Sequence, residues 1–260
     1  MYGAVIAAVE LGDLGERLIR GRPGESAAQS ALLPLSIVFS FVFTFTFIFV
    51  LHVARLVGGR TLRDLVLGRY HRPRVEERFF LFLDVVGSTG IAEGLDPLAV
   101  HRFLNRVFSL AADPVVDHHG EIHQYVGDEM VVTWTVGEGA TAARPLACFF
   151  AIADALAAAT HAFERDFGVV PAVRGALHAG PVVTGEVGDS KREIVFHGDV
   201  MNAAARLEQL GRELAQPLIV SGEARGLLRH AERYGFTDLG RRALRGRAAP
   251  VHVFAATRTP

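Results

Sequence analysis

Two strand-like runs in the chain each end on a turn that carries a carboxylate. The apolar run from Phe79 to Leu83 leads into Asp84, and a second run that ends at Val126 leads into Asp128. Two carboxylates from neighbouring strands can share hard divalent cations, because Mg²⁺ prefers oxygen ligands and completes its shell with water and phosphate. Two such ions can clamp an in-line displacement at phosphorus. The pattern therefore predicts a metal-dependent enzyme that acts on a nucleoside triphosphate.

The composition excludes several classes of protein. A chain of 260 residues has room for one or two domains. Its net charge of −1 provides no basic surface, so we expect no nucleic-acid partner. Cys148 is the only cysteine, which excludes an intramolecular disulfide and a zinc site built from several cysteines. Its apolar neighbours predict that Cys148 is a buried core residue.

One segment near the N-terminus accounts for the high mean hydropathy of +0.28. No Asp, Glu, Lys or Arg occurs between Glu25 and Arg55, and residues 31–53 are nearly all apolar. About 20 such residues are needed to cross the hydrocarbon layer as a helix. We therefore predict a transmembrane helix over residues 31–54. A cleaved signal peptide is disfavoured, because the segment starts late and lacks a short apolar region with a cleavage site.

The charges beside this segment predict its orientation. Arg55, Arg60 and Arg63 follow it, whereas the arginines before it are partly offset by acidic residues. The positive-inside rule then places the C-terminal side in the cytoplasm, with the helix in the inner cell membrane.

Three further regions complete the predicted organisation. In the N-terminal segment, residues 1–30, the first nine residues are apolar but too short to cross a membrane. They are the tail of a second membrane helix, an interfacial anchor, or the remnant of a longer segment. Residues 55–75 predict a juxtamembrane linker helix with three apolar residues on one face. That helix either pairs with its copy in a dimer or is a solvated tether, and a catalytic domain is expected over residues 76–260.

Strand-like and helix-like patterns alternate in this last region. Helical spacing predicts helices over residues 98–116, 140–167 and 200–210. Strands are expected over residues 79–85, 121–126, 130–134, 173–179, 182–187, 218–220 and 251–255. A turn at Gly180-Pro181 is expected between two of them. The order predicts an α+β fold, a ferredoxin-like βααββαβ domain whose antiparallel-rich sheet carries helices on one face.

Four motifs in this region resemble those of one enzyme family. They are Phe82-Leu83-Asp84-Val85-Val86-Gly87-Ser88-Thr89, Val126-Gly127-Asp128, Gly198-Asp199-Val200-Met201-Asn202-Ala203-Ala204-Ala205-Arg206-Leu207, and Leu244-Arg245-Gly246 with Val251-His252-Val253-Phe254. In order and spacing they closely resemble the class III nucleotide cyclases, over residues 76–256. The resemblance implies a membrane-anchored adenylate cyclase that converts ATP to 3′,5′-cyclic AMP and pyrophosphate.

The resemblance also implies how metal and phosphate are bound. Asp84, Asp128 and Val85 match the positions that bind two metal ions per site, Mg²⁺ or Mn²⁺. A triphosphate cradle at a helix start, where N–H groups favour anions, is implied for four consecutive residues. These residues are Val86, Gly87, Ser88 and Thr89.

Three polar residues match the family's catalytic and phosphate-gripping positions. Asn202 would orient the ribose and Arg206 would stabilise charge on the phosphorus under attack. They are four residues apart, so on a helix they share one face. Arg245 stands where the family usually has a lysine, and it keeps the charge with a different hydrogen-bond geometry. Asp199 is expected to be the N-cap of the same helix rather than a catalyst.

The two positions that select the purine depart from the family pattern. Members that prefer ATP usually have lysine where this chain has Gln124, and Asp or Thr where it has Val195. Gln124 can donate and accept at a purine edge, but Val195 cannot hydrogen-bond through its side chain. The expected preference for ATP over GTP is therefore weak.

The family forms head-to-tail pairs, which implies a homodimer with composite active sites.

Other interpretations stay open. One is a catalytically silent membrane module that binds nucleotide or only dimerises, and the departures at Gln124 and Val195 favour it. A guanylate cyclase is another. A diguanylate cyclase is the last, because Gly127-Asp128-Glu129-Met130 faintly resembles that family's signature.

Overall fold

The computed structural model describes residues 25–190, 192–247 and 249–259. The chain forms two compact units, Met1–Arg69 and Tyr70–Pro260. The interpretations of the apolar first nine residues lie outside the described residues.

The described part of the first unit is helical. Helix α1 runs over Glu25–Val57, and helix α2 follows over Gly59–Val66. Between them Gly58 has φ of 92°, a left-handed conformation that ends α1 and that glycine adopts without strain. The 23 residues Pro34–Leu56 are a candidate membrane span, and none of the most apolar stretch is buried within the protein. The helix is as predicted, and that it crosses a membrane stays a prediction.

The second unit is an α+β domain, as predicted. Its elements in chain order are β1 (Arg74–Val85), α3 (Ser88–Gly94), α4 (Pro97–Asp117), β2 (Glu121–Val126), β3 (Glu129–Thr135), α5 (Val136–Ala140), α6 (Arg144–Ala158), α7 (Thr160–Phe167), β4 (Val173–Val187), β5 (Glu193–His197), α8 (Asp199–Glu213), β6 (Leu218–Ser221), α9 (Gly222–Leu227), β7 (Tyr234–Arg242) and β8 (Val251–Arg258). The strands form one eight-stranded sheet in the order β2-β3-β1-β4-β6-β8-β7, with β5 paired to β4 alone. Every pairing is antiparallel except that of β4 with β6.

Helices cover both faces of the sheet, so the expectation of helices on one face was wrong. Successive residues of a strand point to opposite faces. Leu81 and Leu83 of β1 lie in the large core that α4 and α6 cover. Phe80 and Phe82, of the other parity, pack in a second cluster with residues of α8. Strand β1 is apolar at odd-numbered and even-numbered positions alike because both of its faces are buried.

The predicted helix over residues 140–167 is divided in the structure. Ala142 and Ala143 have φ of 52° and 48°, and the chain turns there before α6 begins. A second break at Ala159 separates α6 from α7. Alanine favours helix wherever it stands, so an alanine-rich sequence carries no signal for these breaks.

Helix α6 belongs to the core of the domain. With α5 before it, it is long and apolar enough to pass as a membrane span, but much of its surface is buried against the sheet. Cys148 lies fully buried on α6, as predicted, and burial raises the pKa of its thiol to about 12.

The predicted turn at Gly180-Pro181 is absent, and β4 runs through both residues as one strand. On one side Pro181 stands opposite Glu77 of β1. On the other side β6 pairs with Gly175–Leu177 and β5 with Val183–Val187. Pro181 falls in the gap between these pairings, a position that tolerates a missing N–H.

Candidate active site

Asp84 and Asp128 meet at one end of the sheet. Asp84 is near the end of β1, and the antiparallel register places it opposite Glu129, the first residue of β3. Asp128 lies in the tight turn between β2 and β3, where Gly127 has φ of 63°. The carboxyl groups of Asp84 and Asp128 lie close enough for each to shift the pKa of the other. The predicted meeting of two carboxylates from neighbouring strand ends is therefore present.

Burial and like charges perturb these acids. Asp84 is only 4% exposed. Burial, then the nearby Glu208, raises the pKa of Asp84 to about 7. Burial is also the largest influence on Asp128, but hydrogen bonds from Ser88, its own main chain and Asp84 hold its pKa below the usual value. Burial and Glu208 raise the pKa of Glu129 to about 7.

Two residues near Asp84 were missed by the sequence analysis. Arg212 Nη2 lies 3.3 Å from Asp84 Oδ2 and 3.1 Å from Glu208 Oε1. The Glu208 side chain is 7% exposed, although it is a carboxylate. Their spacing in the sequence does indicate that they pair, because an acid and a base four residues apart lie on one face of a helix. Glu208 also directly follows the apolar Leu207.

The donor atoms at this end of the sheet fit a hard divalent cation. They are carboxylate oxygens, and oxygen is the ligand atom that Mg²⁺ requires. Val85 directly follows Asp84 at the end of β1. Among the described residues no group of three or more His, Cys, Asp or Glu side chains is arranged as a ligand cluster. Two aspartates are enough where water and substrate phosphates supply the remaining ligands.

The turn after Asp84 differs in one respect from the expected phosphate cradle. The N–H of Val86 donates to the carbonyl of Ala172 at 2.8 Å, so this amide is not available to a phosphate. Gly87 has φ of 71° and is the N-cap of α3. The predicted cradle is thereby reduced to Gly87, Ser88 and Thr89. Ser88 and Thr89, with Asp128, line a cavity of about 340 Å³.

Asn202 and Arg206 lie on the outward side of α8. Asn202 is exposed and Arg206 is partly buried. The guanidinium of Arg206 lies against Gly246, because a Cβ built on that glycine would be 3.1 Å from Nη1. Gly246 also has φ of 77°, so both the turn and the close approach favour glycine. The exposed Arg245 precedes it, and the structure thus brings Arg206 and the turn of Arg245 together.

Asp199 is not the N-cap of α8. That position belongs to Gly198, and Asp199 is the first helical residue. Its carboxylate forms an ion pair with Arg247 Nε at 2.9 Å.

The two positions that are expected to select the purine lie on different edge strands. Gln124 is exposed on β2, and Val195 is partly buried on β5. The ring of His123, next to Gln124, lies 4.6 Å from the ring of Phe196, next to Val195. The two positions are thereby brought close although their strands are not paired.

Within one chain the metal-side residues and the Asn202/Arg206 pair stay apart. Arg212, which contacts Asp84, is ten residues after Asn202, about 15 Å along a helix. Glu208 lies about 200° around α8 from Arg206, so one face of the helix points to Asp84 and the other points outward. Within one chain these two sets of residues therefore do not face a common space.

Comparison with known proteins identifies the family. Residues 71–256 match the sequence profile described as the adenylate and guanylate cyclase catalytic domain. The chain belongs to the class III adenylate and guanylate cyclase family. The resemblance noted from the four motifs is therefore confirmed.

Two curated relatives come from Rhizobium meliloti (strain 1021). Adenylate cyclase 2 is 36% identical over 240 residues, which cover 92% of this chain and 66% of that protein. Adenylate cyclase 1 is 28% identical over 178 residues, which cover 67% of this chain and 26% of that protein. The chain thus spans slightly less than two thirds of the first relative and about a quarter of the second.

Solved structures share the fold. The adenylyl cyclase CyaB from P. aeruginosa superposes with a TM-score of 0.64 at 19% identity, covering 73% of this chain and 97% of CyaB. This likeness confirms the predicted fold class.

Proposed function

We propose that the chain is a membrane-anchored adenylate cyclase that converts ATP to 3′,5′-cyclic AMP and pyrophosphate. The observation that carries the proposal is the close approach of Asp84 and Asp128, near the guanidinium of Arg212, at the end of β1. The 36% identity to a protein named adenylate cyclase supports ATP as the substrate.

Asp84 and Asp128, with the main-chain carbonyl of Val85, would hold two divalent cations, Mg²⁺ or Mn²⁺. When bound, such ions activate the ribose 3′-hydroxyl and neutralise the leaving pyrophosphate. The fit rests on the carboxylates themselves, because Asp84, Asp128, Glu129 and Glu208 lie close to one another beside Arg212. Such a cluster favours additional positive charge.

The turn after β1 would bind the triphosphate. The first N–H groups of a helix have no acceptor within it, and Ser88 and Thr89 begin α3. Because Ser88 lines the same cavity as Asp128, it would connect the metal side with the phosphate side.

Asn202, Arg206 and Arg245 would act from the other half of the site. Asn202 orients the ribose so that its 3′-oxygen faces the α-phosphorus. Arg206 stabilises the charge that develops on the α-phosphate as the bond to the bridging oxygen breaks and pyrophosphate leaves. Arg245, held next to Arg206 by the turn at Gly246, grips the terminal phosphates.

Gln124 and Val195 would form the base-selecting positions. The amide of Gln124 can both donate and accept at a purine edge, whereas Val195 contributes only shape. An apolar wall rejects a related base weakly, so ATP is preferred to GTP by a modest factor.

Two chains are needed because one chain holds two separated half-sites. A head-to-tail homodimer with a two-fold axis would place the Asp84 half of each chain against the Asn202 half of the other, giving two equivalent sites. We place the catalytic domain at residues 76–260. The membrane helix over residues 31–54 and the linker over residues 55–75 would raise the local concentration of partners. With arginines after the span, the catalytic domain faces the cytoplasm from the inner membrane.

The test is an assay of cyclic nucleotide formation by the detergent-solubilised full chain, with Mn²⁺ and either ATP or GTP. Cyclic AMP is the expected product, and the Asp84→Asn variant, prepared in the same way, is the matched control without activity. Formation of cyclic GMP alone, or no product from folded dimers, would contradict the proposal.

A further inference from the structure

Arg78 is a buried cation beside the base-selecting strands. It lies on β1 with its side chain 5% exposed. Its Nε donates to Glu76 at 3.0 Å, and its Nη1 lies 3.5 Å from Glu121 at the start of β2. Its Nη2 donates to the Tyr70 hydroxyl at 3.1 Å. Three partners on different segments therefore fix the plane of this guanidinium.

The same guanidinium also contacts an aromatic ring. Its carbon lies 4.8 Å from the ring centroid of Phe196 on β5, in the geometry of a cation–π contact. The rings of Phe196 and of Phe80 on β1 pack in a T-shaped arrangement, with their centroids 5.3 Å apart. On a third side the ring of His123, on β2, lies 4.6 Å away. Phe196 is thus held by contacts from β1 and β2 as well as by its own strand.

These contacts join two strands that share no hydrogen bonds. In the described sheet β2 pairs only with β3, and β5 pairs only with β4 over five residue pairs. The backbone ladder therefore does not fix the distance from β2 to β5. The stack of His123, Phe196 and Arg78 spans that gap.

We infer that Arg78 is a positioning residue for base selection: through Phe196 and His123 it sets the spacing of Val195 and Gln124. The inference rests on the proposed function, since it assigns a role within that base site. Gln124 follows His123 and Val195 precedes Phe196, so any shift of the stack moves both positions that face the purine. Neither Arg78 nor Phe196 needs to touch the nucleotide.

Tyr70 connects this stack to the point where the chain enters the second unit. It is the first residue of that unit. Besides the bond to Arg78, its main-chain carbonyl accepts from Glu186 N at 3.1 Å. Glu186 pairs with Ile194 of β5, one residue from Val195. Tyr70 therefore supports both the cation and the strand that carries the apolar purine position.

The experiment compares kcat/KM for ATP and GTP, with Mn²⁺, in the full chain and in three variants. Arg78→Lys keeps the charge but loses the flat guanidinium over the ring. Phe196→Leu removes the ring and leaves the ion pairs of Arg78 in place. Tyr70→Phe removes one hydroxyl without changing the packing volume. The matched control is Arg106→Lys. Arg106 also stacks on a ring, Phe163 at 5.0 Å, and pairs with Asp166, but Phe163 belongs to the large core on the opposite face of the sheet from the cluster that holds Phe196.

We expect Arg78→Lys and Phe196→Leu each to change the ratio of kcat/KM for ATP to kcat/KM for GTP by about threefold or more, mainly through KM. Tyr70→Phe should change this ratio less. The control keeps the wild-type ratio. If Arg78→Lys fails to fold, Phe196→Leu decides. An unchanged ratio in a folded and active Phe196→Leu variant overturns the inference while leaving the cyclase proposal intact. A wild-type protein that forms no cyclic nucleotide overturns the proposed function instead.

Discussion

Arg212 Nη2 lies 3.3 Å from Asp84 Oδ2, so in the protein alone a guanidinium supplies positive charge to the first of the two aspartates. The same nitrogen lies 3.1 Å from Glu208, which keeps Arg212 in place. A cation bound by Asp84 has to share this carboxylate with Arg212. The contact therefore bears on how tightly the site binds metal.

Replacement of Arg212 by glutamine removes a competing positive charge while keeping a donor for Glu208. We expect the apparent affinity for Mn²⁺ to increase by about threefold or more, because unit charges a few ångström apart interact appreciably even in high dielectric. Calorimetric titration of the full chain with Mn²⁺ measures this. Arg165→Gln is the control, since Arg165 pairs with Asp166 at the surface of α7. Weaker Mn²⁺ binding by the Arg212 variant would show that the guanidinium supports the metal ligands instead.

Metal binding is expected to depend on pH through Asp84. The pKa of Asp84 is raised from 3.8 to about 7, so the folded protein retains a proton there that the unfolded chain releases. Because the folded-state pKa is raised, ionisation of Asp84 lowers the free energy of unfolding progressively as the pH rises from about 4 to about 7. Above about pH 7 this loss of stability is constant. A metal ion binds the ionised form and offsets the cost.

It follows that Mn²⁺ should bind about fivefold more tightly at pH 7 than at pH 6 if one proton is released per site, because about half of Asp84 is ionised at pH 7 and about a tenth at pH 6. The increase in Tm on adding Mn²⁺ should grow over the same range and level off above about pH 8. Measuring Tm with and without Mn²⁺ across this range tests the sign. The Asp84→Asn variant, which cannot ionise at this position, should lose most of this pH dependence. A Tm increase in the wild-type protein that does not vary with pH would contradict the assignment of Asp84 as a metal ligand.

Loss of either aspartate should abolish catalysis. We expect Asp84→Ala and Asp128→Ala each to reduce kcat by about a hundredfold or more, and the double variant to be no worse, because groups that act as a unit give non-additive losses. Circular dichroism and Tm show whether each variant folds. Near-normal activity with Mg²⁺ in either folded single variant would refute the metal assignment.

Gly246 offers a test of the contact with Arg206. It has φ of 77° and a Cβ there would lie 3.1 Å from Arg206 Nη1, whereas Gly240 has φ of 79° and open space around it. Alanine at either position should cost about 1 kcal/mol or somewhat more in unfolding free energy from the left-handed backbone. Only Gly246→Ala should also lower kcat, because its methyl group displaces the guanidinium. Equal activities in the two variants would mean that the position of Arg206 does not depend on this turn.

Complementation tests the shared active site. Asp84→Ala and Arg206→Ala, each inactive alone, should restore activity when co-expressed, because the mixed dimer contains one site with both lesions and one with neither. Recovery can reach about half of wild-type activity per heterodimer and about a quarter of the total under random pairing. Co-purification with two different tags measures the fraction of heterodimer. Heterodimers that form but remain inactive would count against sites shared between chains.

The local sequence determined the elements that carry the site, because their signals are short-range. The apolar run before Asp84, the glycine before Asp128 and the four-residue spacing of Asn202 and Arg206 each specify a strand end, a turn or a helix face without reference to the rest of the chain. The α1 helix and the buried position of Cys148 follow from apolar runs in the same way.

Contacts between distant segments were decided only by the tertiary structure. The pairing of Glu208 and Arg212 shows no local sign that it faces Asp84, since a helix face acquires its neighbour only when the helix docks on the sheet. The passage of β4 through Pro181 and the breaks around α6 likewise depend on which edges and faces are already occupied. Arg78 reaches Phe196 because strands far apart in sequence are folded side by side, a relation that sequence periodicity does not encode.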